Sequence, residues 1–272
     1  MTSSDIFAEI QKKNSFLCVG LDPVIEKIPR QLQREEDPVF SFNKAIIDAT
    51  IDQAVAYKPN LAFYEALGPG GWETLQKTLD YLPSEVFTIA DAKRGDIGNT
   101  STLYAKAFFE QMDFDAITIA PYMGEDSVRP FLAFDEKWAI VLALTSNQGS
   151  QDFQLIDNSD GTPLFASVVE KSKTWGTAQN MMYVVGATRG SHIETVRALV
   201  PDHFLLVPGV GAQGGSLEEV ARFGMNAQCG LLVNSSRGIL YASSDSDFAV
   251  AAKKEAQSLQ GAMEELLSRY LT

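Results

Sequence analysis

Apolar residues follow two rhythms along this chain. Short runs with few polar interruptions fall at 16–21, 54–57, 86–90, 116–120, 139–144, 181–185, 204–207 and 230–233. Their length and their Val, Ile, Leu and Ala content predict strands buried on both faces. Between them apolar residues return every three or four positions, most clearly over 38–51, 71–82, 100–110, 126–134, 163–174, 191–199, 216–223 and 247–270. That is the helical period. A short amphipathic stretch, 4–13, comes before the first strand, with Ile6, Phe7 and Ile10 on one face. Eight such strands, each followed by a helix, predict an α/β fold: a closed parallel (β/α)8 TIM barrel with a short N-terminal leader helix. An open doubly wound sheet fits less well. No composition shift or linker divides residues 1–272, which read as a single domain, and the unusual residues gather after strand after strand, where a barrel builds its site. Two connections are long, 22–37 and 145–162.

Composition narrows the class. With 45% apolar and 21% charged residues among 272, the chain has ample material for one core. A formal net charge of -13 argues against nucleic acid or an anionic membrane as the main partner. It leaves room for a small phosphorylated ligand, because a local set of cations and backbone N–H groups binds phosphate whatever the net charge. No apolar run reaches membrane-spanning length and the first residues lack a signal core, so a cytoplasmic location is expected. The two cysteines, Cys18 and Cys229, lie in apolar runs and read as buried reduced thiols. His192 and His203 have no metal-ligand spacing.

The chemistry concentrates in Asp91-Ala92-Lys93-Arg94-Gly95-Asp96-Ile97, which follows the third strand. Strand alternation points Asp91 and Lys93 to the same side and leaves Asp96 in the loop beyond. Charges at the end of a buried strand need partners, and a structural ion pair is the plain explanation. The other strand ends argue for more. Strand 1 ends at Asp22, which can accept from sugar hydroxyls; strand 2 ends at Lys58, held extended by Pro59 and next to the Asp91 strand. Strand 5 runs into Thr145-Ser146-Asn147-Gln148-Gly149, a neutral hydrogen-bonding turn. Strand 7 leads into a glycine-rich turn with Gly209, Gly211, Gln213 and Gly214, and Ser216 and Glu219 form a capping box for the next helix. Strand 8 leads into Ser236-Arg237-Gly238, and the loops after strands 7 and 8 are where such barrels often bind phosphate.

Taken together, Gly20-Leu21-Asp22, Tyr57-Lys58-Pro59, Asp91 through Thr100, Pro208-Gly209-Val210-Gly211 and Ser236-Arg237-Gly238 resemble the orotidine 5'-phosphate decarboxylase family, in its longer bacterial branch, over nearly the whole chain. The resemblance implies conversion of orotidine 5'-phosphate to UMP and carbon dioxide with no metal and no organic cofactor. It assigns Lys58, Asp91, Lys93 and Asp96 to an alternating charge tetrad, with Lys93 stabilising and protonating the carbanion-like state. Asp96 and Thr100 are implied to reach into the other site of a homodimer. Asp22 matches the ribose-binding acid, Ser146 the residue facing the pyrimidine, and Gln213 and Arg237 the phosphate grip. Gln148 departs from the family, where proline is common. The rival readings are a magnesium-dependent sugar-phosphate lyase with the same Asp-x-Lys-x-x-Asp run, a phosphoribosyl isomerase, and a barrel that binds a nucleotide without turning it over.

Overall fold

The computed structural model describes residues 1–187, 189–210 and 215–271. Among them, eight parallel strands close into a barrel in chain order: β1 (Leu17–Leu21), β2 (Ala54–Pro59), β3 (Phe87–Arg94), β4 (Ala116–Ile119), β5 (Trp138–Leu144), β6 (Met181–Val185), β7 (Leu205–Pro208) and β8 (Leu231–Ser235). β8 pairs with β1 to seal the ring. The helices are α1 (Ser3–Lys13), α2 (Pro38–Thr50), α3 (Leu61–Glu65), α4 (Pro69–Tyr81), α5 (Gly98–Lys106), α6 (Glu125–Leu132), α7 (Leu164–Ser172), α8 (Gly190–Leu199), α9 (Leu217–Gly224), α10 (Arg237–Leu240) and α11 (Phe248–Tyr270). The predicted barrel is the observed one. Two short helices, α3 and α10, are additions that hydropathy did not show, because a single turn or two carries too few apolar repeats to reveal a period.

Local chemistry sets the element ends. Pro38 opens α2, and the carboxylate of Asp37 accepts from Phe40 N at 3.0 Å. Half of the predicted capping box is present at α9, where Ser216 Oγ accepts from Glu219 N at 3.3 Å. The predicted helix over 100–110 starts two residues early, at Gly98, and ends in a wider π turn, Ala107–Gln111.

The largest departure concerns β3, which continues through the charged motif to Arg94 instead of ending at Ala90. Its pairing with β4 carries a bulge: Ala90 faces Ile117 and Arg94 faces Ile119, so four residues on β3 advance against two on β4. Lys93 absorbs the extra length with φ +46°, a left-handed conformation that side chains other than glycine adopt reluctantly. Arg94 ties the far side of the bulge down. It pairs with Glu65 of α3 and lies over the rings of Tyr104 and Phe108, at 5.5 and 5.6 Å.

The leader helix α1 closes the end of the barrel opposite the charged motif. Ile6 and Ile10 are buried, Trp138 Nε1 donates to Met1 O at 2.8 Å, and Lys13 Nζ donates to Ala54 O at 2.7 Å; both partners stand at strand starts. The long helix α11 buries Phe248, Ala252, Ala256, Met263, Leu266 and Leu267 against the outer face. Its Val250, apolar in sequence, is 73% exposed. Cys18 and Cys229 are buried free thiols, as their surroundings suggested.

At this lower end Arg197 gathers the loops through five backbone carbonyls, including Gly224 O at 2.7 Å and His203 O at 2.6 Å. Both ring nitrogens of His203 are sealed from solvent without a hydrogen-bond partner among the described residues. Burial, reinforced by Arg197, depresses the pKa of His203 to about 4. The unfolded chain therefore takes up a proton near pH 6.5 that the folded chain refuses until about pH 4. Stability is intact above pH 6.5 and falls between those values. Urea unfolding at pH 7 and pH 4.5 should show His203→Phe losing about 2 kcal/mol less than the wild type on acidification. Equal losses would show that this ring does not carry the acid sensitivity.

Candidate active site

The upper ends of the strands converge on one carboxylate. Lys58 is the next-to-last residue of β2 with its side chain turned inward, and Pro59 keeps its backbone extended. Lys58 is 4% exposed and Asp91, on the neighbouring strand, is 9% exposed. Lys58 Nζ donates to Asp91 Oδ2 at 2.6 Å, while Lys93 Nζ donates to the other oxygen, Oδ1. Thr118 of β4 adds a hydroxyl donor to Oδ1 at 3.2 Å and accepts from Lys93 N at 2.9 Å. One side chain on β4 thus holds both the carboxylate and the left-handed backbone of Lys93.

The electrostatics follow from that geometry. Burial alone would raise the pKa of Asp91, but Lys58 and Lys93 outweigh it and hold the carboxyl at about 2. Burial would likewise favour neutral Lys58. The charges of Asp91 and Asp22 override it and push its pKa up. Asp91 therefore faces two ammonium groups, with a second carboxylate, Asp22, acting on Lys58 from the cavity wall.

Two cavities meet at this trio. One, about 450 Å³, is lined by Asp22, Asn60, Gly209, Arg237 and Tyr241 and reaches Lys58 and Asp91. The other, about 250 Å³, runs from Lys58, Asp91 and Lys93 past Thr118 to Ser146 and Asn147. A larger and more open hollow of about 1110 Å³ lies beside them, between residues 26–33 and 241–246, and shares only Lys27 and Tyr241 with the first cavity. The two smaller spaces form a bent trough with a guanidinium at one end, ammonium groups in the middle and a neutral turn at the other end.

The walls of the trough are fixed by hydrogen bonds. Asp22 accepts from Asn60 N at 3.2 Å and from Ser236 Oγ at 2.5 Å, which joins the ends of β1, β2 and β8. Gly20 permits this join, since a Cβ there would meet Ser236 Cβ at 2.7 Å. Tyr241 Oη accepts from Val24 N at 2.8 Å and donates to Asp22 O at 3.0 Å. Gly209 turns the chain after β7 with φ +96°. Beyond β5, the side chain of Gln154 folds back to accept from Thr145 N at 2.7 Å and orders the start of the loop containing Ser146.

The structure brings together Asp22, Lys58, Asp91, Lys93, Ser146, Gly209 and Arg237 of the sequence-derived set. Asp96 and Thr100 line neither cavity. Asp96 is half-buried between β3 and α5 and accepts from Ile97 N at 2.8 Å, and Thr100 is exposed on α5. Gly211, Gln213 and Gly214 lie outside the described residues. Sequence reading passed over Thr118 and Tyr241, and took Ser236 only as part of the run that carries Arg237. Thr118 had a signal, a polar residue in the upper half of an otherwise apolar strand; Tyr241 had none, since its role depends on a contact across more than two hundred residues of chain.

Residues 15–253 match the Orotidine 5'-phosphate decarboxylase / HUMPS family. The chain is 59% identical to an orotidine 5'-phosphate decarboxylase of Phocaeicola vulgatus over 270 residues, covering 98% of this chain and 99% of the relative. It is 59% identical to the enzyme of that name from Flavobacterium johnsoniae, covering 98% of each chain. Among solved structures it is similar to Leishmania donovani OMP decarboxylase, with a TM-score of 0.83, 36% identity, and coverage of 97% of this chain and 100% of that one. On its strand order, on the lysine-flanked carboxylate at the barrel mouth and on these matches, the chain belongs to the orotidine 5'-phosphate decarboxylase / HUMPS family.

Proposed function

We propose that this chain converts orotidine 5'-phosphate to UMP and carbon dioxide, with no metal or organic cofactor, as a homodimer in the cytoplasm. The observation that carries the reading is the Asp91 carboxylate held between Lys58 and Lys93 where the two cavities meet. The trough orders the substrate. Arg237 and the turn at Gly209 receive the phosphate together with Gln213, Asp22 accepts from the ribose hydroxyls, and Ser146 faces the pyrimidine edge. The substrate carboxylate then lies against Asp91, with Lys93 beside the carbon that bears it.

In the reaction the bond from the pyrimidine carbon to its carboxylate breaks, carbon dioxide leaves, and the electron pair stays on the ring carbon. Lys93 faces that pair as a cation and then gives it an N–H proton; solvent restores the proton to the amine. Lys58 keeps Asp91 charged and in place. Magnitudes show which effect carries more of the rate. The largest enzymatic accelerations correspond to about 23 kcal/mol. Two carboxylates about 4 Å apart repel by roughly 4 kcal/mol at an effective dielectric near 20. Repulsion by Asp91 is therefore the smaller share, and preorganised attraction to the developing charge is the larger. Phosphate binding, remote from the carbon, adds to it by drawing the loops closed.

The same geometry favours this reading over a magnesium-dependent lyase. Both oxygens of Asp91 already accept from ammonium groups, and two cations beside that carboxylate repel a divalent cation there. The dimer reading draws support from Asp96 and Thr100. Both lie off their own chain's trough, beside Ile97 and Leu103, each 57% exposed.

The direct test follows the ultraviolet absorbance of orotidine 5'-phosphate with excess chelator. The wild type should convert it to UMP, and Lys93→Ala should be slower by at least about a thousandfold with UMP affinity within a few-fold. Near-normal turnover by the variant, or loss of wild-type activity to the chelator, would contradict the mechanism. Mixing inactive Lys93→Ala and Asp96→Ala proteins should restore about a quarter of wild-type activity, since half of randomly formed dimers carry one complete site. No recovery with proven subunit exchange would place each site within one chain.

A further inference from the structure

The trough has a second cation at its phosphate end that the motif reading did not single out. Lys27 lines the 450 Å³ cavity together with Arg237, and it also lines the open 1110 Å³ hollow alongside Arg30. It therefore stands on the sill between the outer hollow and the trough. Its side chain is exposed and makes no ion pair among the described residues; Nζ instead lies 5.2 Å from the centroid of the Tyr241 ring. A cation resting on an aromatic face is weakly held and retains its charge for another partner.

Its backbone, by contrast, is fixed. Lys27 N donates to Val24 O at 2.8 Å, and Val24 N donates to Tyr241 Oη at 2.8 Å. The same hydroxyl donates to Asp22 O, and Tyr241 N donates to Arg237 O at 3.1 Å, closing α10. One tyrosine thus sets the turn carrying Lys27, the loop carrying Asp22 and the helix carrying Arg237 in a single frame. Net charge supplies the need for such a group. A protein at -13 repels a nucleotide bearing a phosphate and a carboxylate, so approach to the trough depends on unpaired cations at its rim. Lys58 is committed to Asp91, which leaves Lys27 and Arg237 at this end.

We propose that Lys27 is a substrate-binding residue: it draws the anionic nucleotide across the sill, leaves the Tyr241 ring and contacts the 5'-phosphate opposite Arg237. This rests on the reading of the ligand as a nucleoside monophosphate. The test compares Lys27→Gln with the wild type and with Lys254→Gln, which removes one exposed charge from α11 outside both cavities. Lys27→Gln should lower kcat/KM for orotidine 5'-phosphate roughly tenfold at low ionic strength, mainly through KM, and should flatten its dependence on salt. UMP should bind roughly tenfold more weakly while uridine binds unchanged. Lys254→Gln should match the wild type in each measure. An unaltered UMP affinity and salt slope in Lys27→Gln would overturn the proposal. So would a parallel loss for uridine, which would mean a distorted site, or an equal effect of Lys254→Gln, which would mean net charge alone. UMP binding reads the contact whether or not orotidine 5'-phosphate is turned over, so failure of Lys27 and failure of the decarboxylase reading are separable; a wild type that binds no UMP overturns both.

Discussion

The upper half of this barrel depends on one buried carboxylate with two ammonium partners. Asp91 binds Lys58 through one oxygen and Lys93 through the other, with Thr118 as a third donor. Each charge is in place because of the others. Without Asp91, Lys58 would be an unpaired ammonium in a site where it is only 4% exposed, a situation that costs about 3–5 kcal/mol when one partner of a buried pair is removed. Buried ion pairs are seldom a source of stability, so the proposed reaction gives a reason for the trio that folding alone does not.

The rest of the scaffold supplies that maintenance. The bulge in β3 puts Asp91 and Lys93 on the same hollow, and the left-handed backbone of Lys93 is held by Thr118 from inside and by Arg94 from outside. Arg94 pairs with α3 and stacks over aromatic rings of α5 and the turn beyond it, so the left-handed backbone of Lys93 is braced by contacts outside both cavities. At the other end, Asp22 is tied to Asn60, Ser236 and Tyr241, which links the ends of β1, β2 and β8. The lower barrel is tied together by α1 and by the Arg197 hub.

The strands were legible because each is apolar on both faces and short, and because their order in a closed parallel barrel follows the chain. Asp91, Lys58, Lys93 and Arg237 were legible because charges at strand ends are costly and conspicuous. What the sequence left hidden was set by distance or by backbone geometry. The β3 bulge depends on pairing with β4, not on any local pattern, so the strand looked finished at Ala90. Helices α3 and α10 are too short to show a period. Tyr241 and Ser236 join Asp22 across more than two hundred residues.

In the proposed reaction, this trio attracts negative charge at the pyrimidine carbon. The most direct measurement compares the affinities of UMP and of a uridine nucleotide bearing an oxyanion at that carbon, in the wild type and in Lys93→Ala. The wild type should bind the anionic nucleotide far more tightly than UMP, and Lys93→Ala should remove most of that preference while binding UMP much as before. A preference that survives intact in the variant would contradict it, because the field at that carbon would then come from somewhere other than Lys93.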